Sequence, residues 1–88
     1  MRTLFRSSFG RDLKKIREPN ILTQVREAIE NVESAARVMD VRNLEKMSGS
    51  SGYYRIRIGD YRLGIAVDGE AVEFVRCLHR RDIYRYFP

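Results

Sequence analysis

Two runs of alternating residues, 53–58 and 61–67, are separated by Gly59-Asp60 alone, and this spacing constrains the chain more than any other feature. A two-residue connection containing glycine is a strong short-range hairpin signal, because glycine reaches the positive φ that so tight a turn demands. The turn sets a register in which Ile58 opposes Tyr61, Arg57 opposes Arg62, Ile56 opposes Leu63, Arg55 opposes Gly64 and Tyr54 opposes Ile65. Side chains alternate between faces, so Tyr54, Ile56, Ile58, Tyr61, Leu63 and Ile65 form one apolar face. The other face carries Arg55, Arg57 and Arg62 beside Gly64 and Ala66. Like charges directly opposed weaken a sheet by a few tenths of a kcal/mol to roughly 1 kcal/mol. One reading has the guanidinium groups splay into water, with Glu73 of the next strand neutralising part of the charge. Three arginines above a shallow floor of small residues favour the other, a face that binds phosphate.

The rest of the chain supplies layers to cover the apolar face. Thr3-Leu4-Phe5-Arg6 reads as a short strand. Ser7 or Ser8 caps a helix on which Phe9, Leu13 and Ile16 recur until Pro19 stops it. Asn20 then reads as the cap of a second helix with Ile21, Leu22, Val25, Ile29, Val32 and Ala36 along one stripe. From 40 to 52 the pattern loosens: Leu44 and Met47 anchor a short segment, and Ser48-Gly49-Ser50-Ser51-Gly52 is a loop. Asp68-Gly69 marks a second turn, and 71–78 is apolar on both faces, as a strand with neighbours on both sides requires. The expected class is α+β, in the order β-α-α-β-β-β, with an N-terminal helical hairpin packed on a mostly antiparallel sheet. At 88 residues this is one domain spanning 1–88, small enough that a stabilising partner is expected.

Composition narrows the partners. The formal charge is +5, and 14 of the 17 basic residues are arginine, the residue suited to bidentate phosphate contacts and to stacking on bases. RNA, DNA or an acidic protein fits that bias. The single cysteine, Cys77, sits in an apolar run and reads as a core residue rather than a nucleophile. One histidine and one cysteine cannot supply the usual nitrogen and sulfur ligands of a metal, and no cofactor motif is present. No apolar stretch approaches the length of a membrane span, which points to a soluble cytoplasmic protein.

The C-terminal run His79-Arg80-Arg81-Asp82-Ile83-Tyr84-Arg85 adds an imidazole, guanidinium groups and a phenol. If it folds back along the strands it lines the arginine face. Cleavage of RNA by its own 2′-hydroxyl needs a base, an acid for the leaving oxygen and cations for the developing charge. His79 is the one side chain whose ordinary pKa lies near neutrality. Tyr84 and Tyr86, with Phe87, serve equally well as a packing clamp on the end of the sheet.

Phe9-Gly10-Arg11-Asp12-Leu13-Lys14-Lys15-Ile16 resembles the first helix of RelE/ParE toxins. More specifically, Tyr54-Arg55-Ile56-Arg57-Ile58-Gly59-Asp60-Tyr61-Arg62, then Val75-Arg76 and the run from His79 to Arg85, is similar to the RelE branch across nearly the whole chain. The resemblance implies the β-α-α-β-β-β toxin fold. It also implies a ribosome-dependent endoribonuclease that cuts mRNA in the A site without a metal, leaving a cyclic phosphate and a 5′-hydroxyl. Carried over by position, Arg55, Arg57 and Arg62 hold and polarise the phosphate. Arg80 or Arg81 and Tyr84 complete the site, and His79 is a proton donor or acceptor. Arginine titrates too high to be an easy base, so Arg55 and Arg57 are assigned electrostatic roles. The implied partners are the ribosome, mRNA and a cognate antitoxin, in an oligomeric toxin–antitoxin complex. The alternatives are a ParE-like poison of DNA gyrase without nuclease activity, which generally lacks the C-terminal basic-plus-tyrosine set, and a catalytically decayed basic binding module.

Overall fold

The computed structural model describes residues 1–49 and 51–88. Strand β1 (Arg2–Phe5) leads into helices α1 (Ser7–Lys14) and α2 (Pro19–Ser34) and a single 3-10 turn, Val38–Asp40. Four strands follow, β2 (Leu44–Lys46), β3 (Tyr53–Ile58), β4 (Tyr61–Asp68) and β5 (Ala71–His79), and then a short helix α3 (Ile83–Tyr86). The sheet order is β1-β5-β4-β3-β2, with β1 parallel to β5 and the remaining pairs antiparallel. This is the expected α+β arrangement with one strand more, β2, where the sequence predicts only a short segment anchored by Leu44 and Met47. Three residues are too few for a periodic signal. Ser50, part of the expected loop, lies outside the described residues.

The hairpin register is the one the turn dictates, from Ile58↔Tyr61 back to Tyr54↔Ile65. Gly59 has φ 55°, and Asp60 is not among the positive-φ residues, the pattern of a turn with glycine at its first central position. Asp68 pairs with Ala71, so the second turn is Gly69-Glu70 rather than Asp68-Gly69. Helix α2 starts two residues earlier than expected: Glu18, not Asn20, is the N-cap and Pro19 occupies the first turn. Proline suits that position, since it lacks an N–H that would be unsatisfied there and its φ is already helical. Helix α1 ends at Lys14, yet Ile16 stays buried because Lys15 and Ile16 N–H turn back onto Asp12 and Leu13 C=O.

Ile56, Ile58, Leu63 and Ile65 join Phe9, Ile21, Val25, Val32, Val72 and Phe74 in one core between sheet and helices. Each such side chain contributes roughly 1.5–3 kcal/mol. A second, smaller cluster lies on the opposite side of the sheet, where Met47, Ile83 and Phe87 pack with Val75 and Leu78. It pins the C-terminal segment across the sheet. A Cβ on Gly64 would lie 2.7–2.9 Å from three atoms of the Phe87 ring, so the expected shallow floor beside the arginines is filled by that ring. Gly64→Ala is expected to cost about 1–3 kcal/mol by overpacking, measurable as a lower urea midpoint with an unchanged m-value.

Helix α1 also closes a strand edge. Strand β1 covers β5 only from Ala71 to Phe74, and Arg6 N–H bonds Phe74 C=O. Beyond that point Ser8 Oγ donates to Val75 C=O at 2.6 Å, and one turn later Asp12 Oδ2 accepts from Cys77 N–H at 2.9 Å. Residues four apart share a helix face, so Ser8 and Asp12 stand in for the missing strand.

Candidate nucleic-acid interface

Arg55, Arg57 and Arg62 project from β3 and β4 on the side away from the main core, and Arg57 opposes Arg62 directly. Their surroundings differ. Strand β2 sets Glu45 opposite Arg55, and the carboxylate forks onto the guanidinium, Oε1 3.3 Å from Nε and Oε2 3.4 Å from Nη2. Met47 Sδ lies 3.7 Å from Nη1, and the Tyr84 ring centroid 4.8 Å from Cζ. Arg55 is thereby only 16% exposed. The neutralising carboxylate is Glu45, missed with its strand. Glu73, expected to fill that role, pairs with Arg6 at 3.2 Å. Reading Leu44-Glu45-Lys46-Met47 as alternating would have given Glu45 the face of Met47.

Arg62 bends over the hairpin end, where its Nη1 donates to Gly59 C=O at 2.8 Å and Tyr61 C=O at 2.9 Å. No carboxylate pairs with Arg57 or Arg62 among the described residues. Their positive charge stays available to an anion.

The C-terminal residues divide. Tyr84, 62% exposed, joins Arg55 on the arginine side. Arg80 N–H bonds Asp60 C=O, and its Nε lies 3.9 Å from Asp60 Oδ1, so Arg80 sits at the hairpin tip beside Arg62's partner Gly59. Arg81 is exposed. His79 departs from the expectation that the tail lines the arginine face. Leu78 is the residue opposite Arg62, while His79 opposes Tyr61, so strand parity turns the imidazole to the helix side, 5.7 Å from the Tyr61 ring. Its Nδ1 accepts from Arg81 N–H at 3.2 Å, which leaves the proton of the neutral ring on Nε2.

The face combines uncompensated guanidinium groups, a stacked arginine and an open phenol, the side chains that hold phosphates and aromatic bases. Cys77 is buried, and desolvation together with the Asp12 charge pushes its thiol up to about 12. It stays a protonated core residue at neutral pH. No group of three or more His, Cys, Asp and Glu side chains able to share a metal forms among the described residues, and no helix there is long and apolar enough to cross a membrane. Glu45→Gln leaves Arg55 without a charged partner. It is expected to raise the affinity for short RNA several-fold at low salt and to steepen the salt dependence, as read by fluorescence anisotropy.

Comparison with known proteins agrees with this architecture. Residues 4–84 match the family described as the ParE toxin of the type II toxin–antitoxin system parDE. Toxin RelE3 of Methanocaldococcus jannaschii is 39% identical over 89 residues, covering 100% of both chains. A chain of the RelB–RelE antitoxin–toxin complex from Methanococcus jannaschii superposes with a TM-score of 0.81 at 37% identity, covering 97% of this chain and 99% of that one. A chain of the RelBE2 complex from Mycobacterium tuberculosis does so with a TM-score of 0.69 at 29% identity, over 90% and 96%. The DinJ–YafQ complex of E. coli, at 16% identity and a TM-score of 0.64 over 96% and 99%, shares the fold. With its helices on a five-stranded sheet and its full-length likeness to RelE3, the chain belongs to the RelE/ParE family of type II toxins, on the RelE-like side.

Proposed function

We infer that the chain acts as a ribosome-dependent endoribonuclease, cutting mRNA in the A site without a metal ion and held in check by a cognate antitoxin. The observation that carries this reading is the return of α3 across the sheet, with Tyr84 4.8 Å from the Arg55 guanidinium on the face that bears Arg57 and Arg62. In the reaction a 2′-hydroxyl loses its proton and attacks the adjacent phosphorus. The bond to the 5′-oxygen breaks and that oxygen takes up a proton, leaving a cyclic phosphate and a 5′-hydroxyl. Arg57 and Arg62 stabilise the charge that builds on the phosphoryl oxygens, Arg55 adds to the field from its stack, and Tyr84 meets the substrate beside them. The bond from Arg80 to Asp60 at the hairpin tip favours Arg80 over Arg81 as the C-terminal arginine of the site. His79, on the other side of the sheet, is given no proton-transfer role.

This reading sets the protein in the cytoplasm with ribosomes, in an oligomeric complex whose antitoxin is acidic or amphipathic, matched to a surface of +5. The test is induction of the wild type, Arg62→Ala and Tyr84→Phe in cells lacking the antitoxin, following translation and mapping mRNA 5′ ends. Wild type is expected to stop translation and leave new 5′ ends in coding frames. Arrest with intact mRNA and broken DNA would replace the nuclease with a gyrase poison, and a harmless wild type would leave a basic binding module.

A further inference from the structure

A cavity of about 410 Å³ lies along the outer edge of β5, on the side away from β4, lined among others by Lys15, Tyr61, Cys77, His79 and Tyr86. It opens where α1 stops covering the strand edge. Cys77 N–H points outward to Asp12, while Arg80 N–H points inward to Asp60 on the β4 side. Backbone groups of an antiparallel strand alternate between its two edges, so Cys77 C=O and His79 N–H both face outward. His79 C=O, on the same edge, is taken by Asp82 N–H at 2.8 Å; Cys77 C=O and His79 N–H have no bond outside the ladder among the described residues. The recess therefore presents a carbonyl and, two residues on, an amide donor.

The geometry points to a binding site for an unstacked nucleobase whose Watson–Crick edge bears an amino group beside an unprotonated ring nitrogen, as in adenine and cytosine but not guanine, whose N1 carries a proton. Its amino group donates to Cys77 C=O and its ring nitrogen accepts from His79 N–H. The walls suit a flat ring. Tyr61 and His79 meet edge to face at 71°, and Tyr86, 53% exposed, carries the Arg76 and Arg85 guanidinium groups each 6.0 Å from its centroid. Stacking on such aromatics is tolerant of sequence, and edge hydrogen bonds supply discrimination. Charge argues for the base over its phosphate: Lys15 and Arg76 cancel Asp12 and Asp82 in the lining, and Asp12 is already engaged by Arg76 at 2.8 Å and 3.1 Å. Resting on the nuclease reading, the site would select a base near the cut phosphate.

The test titrates the full-length protein with AMP, CMP, GMP, UMP and inorganic phosphate, following amide resonances by NMR. AMP and CMP are expected to move the His79 amide, GMP and UMP to do so far less, and phosphate to leave it in place. Tyr86→Ala should weaken AMP binding about tenfold or more and Tyr86→Phe should restore it, with unfolding midpoints unchanged. Equal response to all four nucleotides, response to phosphate alone, or no response at millimolar nucleotide overturns the assignment. So does a tighter grip on antitoxin that Tyr86→Ala abolishes while nucleotides have no effect, since a protein segment would then own the edge. On mRNA, Tyr86→Ala should flatten the A and C preference at one position near the cut. Nucleotide binding without any cleavage would refute the nuclease reading and leave the pocket standing; cleavage with an unaltered profile and no binding refutes the pocket alone.

Discussion

Arg62→Ala is expected to lower the rate of mRNA cleavage on programmed ribosomes by roughly two to three orders of magnitude, the usual cost of removing one preorganised donor to a developing oxyanion. Arg62 has no carboxylate partner among the described residues, and two backbone carbonyls, at 2.8 Å and 2.9 Å, aim its guanidinium along the hairpin end. The carbonyls lie at an exposed turn where water replaces the lost bonds, and repulsion from Arg57 disappears. Stability should therefore change by no more than about 0.5 kcal/mol. Arg62→Lys keeps the charge but not the fork and should recover only part of the rate. Tyr84→Phe, which leaves the stack on Arg55 intact, should cost about a hundredfold if the hydroxyl handles a proton. Full activity in Arg62→Ala would remove the arginine face from the chemistry.

The largest effect on stability is expected at Asp12, the one buried polar or charged side chain among the described residues, 5% exposed. It accepts three hydrogen bonds, two from Arg76 and one from Cys77 N–H. Asp12→Ala strands a buried amide and leaves Arg76, still 27% exposed, to find water. Breaking such a pair costs about 3–5 kcal/mol, and the exposure of Arg76 places this case near 3. Against a total stability of order 5–15 kcal/mol, that leaves about 2–12 kcal/mol and raises the unfolded fraction by roughly a hundredfold, to a few per cent at the lower end. Urea unfolding at neutral pH gives the value directly. Asp12→Asn retains an acceptor and should lose less; an Asp12→Ala protein as stable as wild type would mean that α1 does not secure the β5 edge.

Local rules made much of the fold legible. Gly59-Asp60 dictates the register, and through it the sorting of Ile56, Ile58, Leu63 and Ile65 from Arg55, Arg57 and Arg62. The buried edge of α2 followed from helical spacing at Ile21, Val25 and Val32, although Leu22, assigned to the same stripe, is 39% exposed. Strand β2 was not legible, because three residues carry no period and are strands only by pairing with β3. Glu45 went unnoticed with it. Nor could a side chain's face be read for the tail, because its direction depends on where β5 ends.

The sequence by itself determined the hairpin, its arginine face and the family, because turn chemistry and alternation are local and the family motifs are contiguous. Tertiary structure alone decided what meets that face. Phe87 fills the space over Gly64, Glu45 and Tyr84 clasp Arg55, and His79 turns to the other side of the sheet. Each is a contact between segments far apart in the chain, set by the packing of a second small core and by strand parity at the end of β5.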